Sequence, residues 1–278
     1  MSLSEFLAKS LIPRAEAEHL LAHVLGCERQ SLLFKKEEEI AEEQKEKFFS
    51  LVEQRRHGCP VAYLLGKKGF YKEEFFVDAN VLIPRPETEL LVEEVIKCFP
   101  LDCPLRIADL GTGSGCLGLS LAKEYRQSEV WLIDVSPGAI QVATKNRKQL
   151  GLKDRVHLCQ CDVQEMNTSL GPFDVVVANP PYIAKNTTDL AEDVRKYEPH
   201  IALFAGEECV EYIYSWSAVA LQVLKEKGLF LCEIGFDQGG RVFNKFTSTE
   251  MWRDVSIIKD YSGHDRVLKA FKGTKING

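Results

Sequence analysis

The chain has 278 residues, a hydrophobic content of 45% and a formal net charge of −6. Because single domains usually have about 100–200 residues, this length predicts two domains of unequal size. The negative net charge argues against tight, sequence-independent binding to nucleic acid, because such binding needs many lysine and arginine contacts to phosphate. No apolar run approaches the roughly 18 residues of a membrane span.

The first 20 residues do not have the pattern of a targeting peptide. They mix three glutamates with one lysine and one arginine. A signal peptide has a basic start and an apolar stretch, and a transit peptide is rich in arginine and poor in acidic residues. We therefore expect the protein in the cytoplasm, without a membrane anchor.

The cysteines and histidines do not form a metal-binding pattern. There are nine cysteines and no CxxC pair, and Cys159 and Cys161 are predicted to lie on one face of a strand. His19 and His23 have the spacing of a helical metal pair but lack the accompanying glutamate of a HExxH motif. The sequence predicts reduced cysteines in the core and no metal site.

Residues 1–66 have a helical pattern. Apolar residues recur at intervals of three and four over residues 17–25, and Gly26 ends that helix. A further helix is predicted over residues 37–57, and a short turn follows at 61–65. This part of the chain is predicted to be a small helical bundle without catalytic residues.

The period changes to that of strands between residues 66 and 85. Gly69-Phe70-Tyr71 and Phe75-Phe76-Val77 flank three charged residues, which predicts a short β-hairpin with its turn at residues 72–74. Residues 67–88 are therefore predicted to connect the helical domain to a second domain over residues 89–278.

Arg85 lies between two prolines in this connection. The prolines restrict the backbone on both sides of a charged residue. Either a role at the functional site or a salt bridge at the domain junction would account for it. Thr88 or Glu87 is predicted as the N-cap of a helix over residues 90–99.

Strand-like and helix-like segments alternate from Leu105 onward. This alternation predicts a doubly wound, mostly parallel sheet, and the short connection between the last two strands predicts one antiparallel member. The predicted strands cover residues 106–110, 129–135, 155–161, 173–178, 228–234, 255–259 and 267–271. The predicted helices cover residues 116–125, 137–150 (with Ser136 as N-cap), 210–225 and 239–246.

A glycine-rich loop follows the first strand of this sheet. It consists of Gly111, Thr112, Gly113, Ser114 and Gly115. Glycines at this place let the backbone pass close to a ligand, and the start of the next helix presents free N–H groups. A frame beginning at Gly113 also satisfies the dinucleotide pattern GxGxxG, but it starts three residues after the strand and ends inside the helix.

Two carboxylates follow the next two strands. Asp134 closes the second strand, where it can accept hydrogen bonds from both hydroxyls of a ribose. Asp162 closes the third strand and suits an adenine amino group. Enzymes that use NAD and those that use S-adenosylmethionine share this geometry, so the carboxylates indicate an adenosine without identifying the cofactor.

The fourth strand ends in Asn179, Pro180, Pro181 and Tyr182. Prolines supply carbonyls at fixed backbone angles, so this tip is a rigid row of acceptors for an NH2 group, although Asn and Pro are also common in ordinary turns. The sequence has no Walker lysine and no nucleophile elbow. An NH2 group held beside an adenosine cofactor is what methyl transfer to nitrogen requires.

The motif series GTGSG, Asp134 and NPPY resembles the class I adenosylmethionine-dependent methyltransferases that modify amide or exocyclic amino nitrogens. The chain as a whole resembles the HemK/PrmC family of glutamine methyltransferases that act on peptide-chain release factors. Five further segments carry this resemblance: RRHGCPVAYLLG, FFVDANVLIPRPETELLVE, RKYEPHIALFAGEE, EIGFDQG and SGHDRVL.

The resemblance implies a Rossmann-like sheet of seven strands, a helical N-domain, S-adenosylmethionine as cofactor and S-adenosylhomocysteine as product. By resemblance, Gly111 to Gly115 line the methionine part of the cofactor and Asp134 binds its ribose. Asn179 to Tyr182 hold the substrate glutamine, with Asn179 also near the cofactor. Val163 occupies the position where some members place a tryptophan against the adenine.

The substrate of the family is the glutamine of a Gly-Gly-Gln loop, and its N-domain and hairpin are thought to grip the rest of the release factor. The residues alone leave three alternatives: a glutamine of a ribosomal protein, an adenine of DNA or RNA, and a non-catalytic adenosine-binding adaptor. The acidic N-domain disfavours the nucleic-acid alternative, and no direct sequence-specific nucleic-acid binding is expected.

Overall fold

The computed structural model describes residues 6–7, 9–34, 40–188 and 190–274. The chain divides into two units, Met1–Lys67 with Leu190–Tyr197, and Lys68–Asp189 with Glu198–Gly278. The helices are α1 (Arg14–Val24), α2 (Glu42–Arg56), α3 (Val61–Leu65), α4 (Glu89–Cys98), α5 (Cys116–Glu124), α6 (Pro137–Gln149), α7 (Glu192–Tyr197), α8 (His200–Leu203), α9 (Glu211–Val223) and α10 (Gly239–Thr247). The strands are β1 (Lys67–Phe70), β2 (Glu73–Phe76), β3 (Arg106–Leu110), β4 (Glu129–Asp134), β5 (Val156–Gln160), β6 (Phe173–Ala178), β7 (Leu224–Glu233), β8 (Trp252–Lys259) and β9 (Asp265–Lys272).

The first unit is helical. The apolar faces of α1 and α2 meet in a core that includes Leu20, Leu21, Phe48 and Val52. Gly26 follows α1 with a positive φ of 62°, which a glycine adopts without steric cost, so the predicted helix end is confirmed. The helix predicted over residues 37–57 begins at Glu42 among the described residues, and residues 37–39 lie outside them.

One helix of this unit comes from much later in the chain. The segment from Leu190 to Tyr197, which contains α7, groups with the N-terminal residues. The Tyr197 hydroxyl and the Lys196 ammonium both donate to the carbonyl of His57, at 2.9 and 3.1 Å. A connection that follows the NPPY tip therefore contributes to the helical unit.

The second unit contains the seven-stranded sheet, in the order β5-β4-β3-β6-β7-β9-β8. All neighbouring pairs are parallel except those that involve β9. Successive residues of the central strand β6 alternate between two cores, with Val175 and Val177 on one face and Val176 and Ala178 on the other. Burial on both faces explains the continuous apolar run of this strand, and the predicted fold class is confirmed.

Two local predictions were wrong. The hairpin turn lies at Tyr71 and Lys72, since Glu73 and Glu74 already belong to β2 and Tyr71 takes a φ of +54°. Helix α9 stops at Val223 because Leu224 pairs with β6. The prediction of Thr88 as the N-cap of α4 is confirmed in position, but its side chain forms no capping bond because its hydroxyl donates to Glu233.

The cysteines are unpaired thiols, as predicted. Only Cys116 and Cys232 are buried, so the expectation of core positions was wrong for the others. Cys159 and Cys161 do share one face, with their Sγ atoms 3.5 Å apart. In the described parts of the chain, no helix has the length and apolarity needed to span a bilayer.

Candidate active site

The parallel register brings the predicted site residues to one edge of the sheet. Leu110 of β3 lies opposite Ile133 of β4 and Ala178 of β6, and Ala178 lies opposite Cys232 of β7. The residues that follow these positions therefore lie side by side at the carboxyl end of the sheet, which is where open α/β sheets bind their ligands. The residues that follow are Gly111, Asp134, Asn179 and Glu233.

The glycine loop follows β3 in a conformation that requires glycine. Gly111, Gly113 and Gly115 have φ values of 70°, 54° and 82°. A Cβ at Gly111 would lie 2.5 Å from Cη2 of Trp216, whereas a Cβ at Gly113 would meet nothing within 4 Å. The loop is thus packed against an aromatic ring at its start and open at its centre, and Thr112 and Ser114 between the glycines are buried.

Asp134 lies at the end of β4 and interacts with this loop. Its Oδ2 accepts from the Gly113 N–H at 2.9 Å, and its Oδ1 accepts from the Ser136 N–H at 2.9 Å. Burial raises the pKa of the carboxyl, and these backbone hydrogen bonds oppose that shift. The Ser136 hydroxyl also accepts from the Ala139 N–H, so the predicted N-cap of α6 is confirmed.

Asp109 is a cleft residue that the sequence reasoning missed. Its Oδ2 accepts from the Thr112 hydroxyl at 2.6 Å and from the Gly118 N–H at 3.0 Å. Burial raises the pKa of Asp109 to about 6, with a further contribution from the charge of Asp134. An aspartate among apolar residues of the strand, two residues before the glycine loop, was the signal in the sequence.

Asp162 and Val163 line the same cleft after β5. Asp162 is exposed, and its Oδ1 caps a short 3₁₀ turn by accepting from the Gln164 N–H at 2.8 Å. Val163 is buried, and Val135 in the lining is 45% exposed. The predicted adenine contacts of Asp162 and Val163 stay predictions, and Val135 adds a second aliphatic side chain at this place.

The NPPY tip is held by hydrogen bonds to other segments. Asn179 Nδ2 donates to Thr88 Oγ1 at 3.1 Å, and the Tyr182 hydroxyl donates to Glu233 Oε1 at 3.0 Å. Both prolines are buried, and Asn179 and Pro181 line the cleft. The tip therefore presents part of itself to the cleft and uses Tyr182 as an internal anchor.

Glu233 lies at the end of β7 and was not predicted from the sequence. It is 1% exposed, and its Oε2 accepts from the Thr88 hydroxyl at 2.6 Å. Burial raises the pKa of Glu233, whereas its hydrogen bonds to Thr88 and Tyr182 lower it, as does the charge of Arg266. Burial and the nearby Glu233 raise the pKa of the Tyr182 hydroxyl, which therefore remains a donor.

Arg85 lines the cleft and forms an ion pair with a buried carboxylate. Its Nη2 lies 2.6 Å from Glu198 Oε1, and Glu198 Oε2 accepts from the Ile83 N–H at 3.0 Å. The Arg85 side chain is 32% exposed. Both interpretations of Arg85 thus retain support, because the residue combines a salt bridge with a position in the cleft.

The cleft is built from more segments than the motifs indicated. The predicted residues that line it are Arg85, Gly111, Thr112, Gly113, Ser114, Asp134, Asp162, Val163, Asn179 and Pro181. Additional lining residues include Asn80, Val81, Leu82, Pro84, Thr88, Asp109, Ile201, Tyr212 and Trp216. Gly115, Pro180 and Tyr182 support the cleft from the adjoining loop and tip.

Known families and proteins match almost the whole chain. Residues 2–66 match the family described as the PrmC N-terminal domain, and residues 102–248 match a methyltransferase domain. The release factor glutamine methyltransferase of Clostridium acetobutylicum is 38% identical over 260 residues, which cover 93% of this chain and 91% of that protein. The protein of the same name from Bacillus subtilis is 36% identical over 273 residues, covering 96% and 94%.

Solved structures show the same fold at much lower identity. The methyltransferase domain of METTL16 superposes with a TM-score of 0.55 at 16% identity, covering 72% of this chain and 89% of that one. The Thermus thermophilus 16S rRNA N2 G1207 methyltransferase gives a TM-score of 0.52 at 19% identity, covering 74% and 49%. At these identities the likeness concerns the fold alone.

Proposed function

The chain belongs to the family of release factor glutamine methyltransferases, and we propose that it methylates the side-chain amide nitrogen of a glutamine in a peptide-chain release factor. The observation that carries this proposal is the meeting of NPPY, the glycine loop and Asp134 at one edge of the sheet. The proposed target is the glutamine of a Gly-Gly-Gln loop. We also propose a location in the cytoplasm, shared with the release factor.

The residues of the cleft fit S-adenosylmethionine as the cofactor. The open space at Gly113 leaves room for an extended chain close to the backbone, and Asp134 at the strand end suits a ribose. Val135 and Val163 offer aliphatic surface for an adenine, with the Asp162 carboxylate beside them. When bound, the cofactor supplies an activated methyl group.

The NPPY tip would hold and orient the glutamine amide. An amide nitrogen is a weak nucleophile because its lone pair is delocalised into the carbonyl. Acceptors at Asn179 Oδ1 and at the Pro180 backbone carbonyl would each take one N–H and favour a pyramidal nitrogen, so that they stabilise the positive charge that develops during methyl transfer. This arrangement requires no general base.

Replacing Asn179 with alanine should lower kcat on the order of 10²-fold, by comparison with the loss of one preorganised polar group in other enzymes. Cofactor affinity, measured by calorimetry, should change little, because the cradle around Gly113 and Asp134 is left in place. A near-normal kcat in the Asn179→Ala variant would contradict the substrate role of this residue.

The decisive experiment supplies methyl-labelled S-adenosylmethionine and compares four acceptors: a release factor, its Gln→Ala loop variant, ribosomal protein, and duplex DNA. We expect label on the intact release factor alone, at the glutamine identified by mass spectrometry of the loop peptide. Label on the Gln→Ala variant, on DNA or on ribosomal protein instead would overturn the proposal.

A further inference from the structure

A chain of hydrogen bonds leads from Asn179 to Glu233 through the hydroxyl of Thr88, and its inner members Thr88 and Glu233 are buried. Asn179 Nδ2 lies 3.1 Å from Thr88 Oγ1, and Thr88 Oγ1 lies 2.6 Å from Glu233 Oε2. Thr88 is 4% exposed and Glu233 1%. The same carboxylate accepts from the Tyr182 hydroxyl, so Glu233 is connected to both ends of the NPPY tip.

The direction of each hydrogen bond in this chain follows from its chemistry. When Glu233 is ionised it accepts hydrogen bonds and cannot donate them, so the Thr88 hydroxyl then points its single hydrogen at Glu233 Oε2. Only lone pairs of Thr88 then remain for Asn179, which must turn its NH2 group towards them. In the part of the chain that the structure describes, no partner is found for Asn179 Oδ1, which stays available as an acceptor.

We propose that Thr88 and Glu233 are positioning residues that hold the Asn179 carboxamide with its oxygen available to the substrate. A side-chain amide has two orientations related by a half-turn, and the wrong one would set an NH2 group against the NH2 group of the substrate. Thr88 selects the correct orientation because it can only accept from Asn179. This inference rests on the proposed methylation of a glutamine amide.

A double-mutant cycle tests whether Thr88 acts through Asn179. Thr88→Val removes the hydroxyl and keeps the branched side chain, and we expect kcat to fall on the order of 10²-fold with unchanged cofactor affinity. In the Asn179→Ala background the same change should alter kcat by less than about twofold. Thr88→Ser should recover most of the rate, because it restores the hydroxyl.

The carboxylate has a matched control in the same unit. Glu233→Gln should lower kcat, whereas Glu94→Gln should keep the wild-type kcat, because Glu94 is also buried but pairs with Lys97 and Lys269 instead. Equal kcat values for the two variants, or multiplicative losses for Thr88→Val and Asn179→Ala, would assign these residues a structural role only and overturn the inference.

Nuclear magnetic resonance gives a second readout that does not depend on the substrate. The side-chain NH2 signals of Asn179, assigned by their absence from the Asn179→Ala variant, should shift in Thr88→Val and return towards their wild-type positions in Thr88→Ser. Unchanged signals in Thr88→Val would overturn the inference. If the wild-type enzyme leaves the release factor unlabelled, the proposed function fails, and the NMR signals still decide the orientation of Asn179.

Discussion

Replacing Asp109 with asparagine should raise the unfolding free energy, relative to wild type, by an amount that grows as pH rises from 5 to 8. In the folded protein burial raises the pKa of Asp109 from 3.8 to about 6, which means that the folded chain binds this proton more tightly than the unfolded chain. The free energy of unfolding therefore falls as pH rises through this interval. Asparagine does not ionise, so the Asp109→Asn variant lacks this decrease in the free energy of unfolding.

The magnitude follows from the two pKa values. A shift of about two pKa units changes the free energy of unfolding by about 3 kcal/mol over the whole titration of Asp109. Roughly half of this change occurs above pH 5. The difference in unfolding free energy between Asp109→Asn and wild type should thus increase by about 1.4 kcal/mol from pH 5 to pH 8. Changes in hydrogen bonding caused by the new amide do not depend on pH, and they cancel in this comparison.

Urea denaturation followed by tryptophan fluorescence measures this quantity. The three tryptophans, Trp131, Trp216 and Trp252, all lie in the unit that contains Asp109. Glu94→Gln is a control without this pH dependence. Burial acts to raise the pKa of Glu94, but hydrogen bonds from two lysines lower it overall, so its removal should destabilise the protein by nearly the same amount at pH 5 and at pH 8. A difference for Asp109→Asn that is flat between pH 5 and pH 8 would refute the reasoning.

Two further substitutions test how the glycine loop is held. Gly111→Ala places an alanine at a φ of 70° and puts its Cβ 2.5 Å from Trp216. We expect a loss of about 1–2 kcal/mol in stability and of about tenfold in cofactor affinity measured by calorimetry. Unchanged affinity would contradict the packing argument. Asn146→Ala removes the donor to the Ser114 carbonyl and the acceptor of the Phe76 N–H in β2. The free energy of unfolding, measured by urea denaturation, should fall by about 2 kcal/mol. For the exposed Asn244→Ala it should fall by less than about 0.5 kcal/mol.

The sheet could be predicted because its signals are local. The apolar run of β6 reflects burial on both faces, and the tip that follows it is visible in four consecutive residues. The loop that begins at Gly111 and the carboxylate Asp134 each follow directly from a strand. Parallel pairing then brings these ends together without any further information from the sequence.

The support of the site could not be predicted because its contacts are distant in sequence. Thr88 is separated from Glu233 by 145 residues and from Asn179 by 91. The local pattern favoured Thr88 as a helix cap. Its hydroxyl instead donates a hydrogen bond to the Glu233 carboxylate, so it does not cap the helix with its side chain. Helix α7 is a similar case, since its contacts with the carbonyl of His57 span about 140 positions.

The chemistry of the NPPY tip therefore depends on residues outside its motif. The prolines restrict the backbone of the tip, but they do not determine which way the Asn179 amide faces. That choice depends on a hydroxyl in the linker and on the Glu233 carboxylate at the end of β7, which also anchors Tyr182. A protein with NPPY but without this hydroxyl and carboxylate would lose both the orientation of the Asn179 amide and the anchor of Tyr182, so Thr88 and Glu233 belong with NPPY as one functional unit.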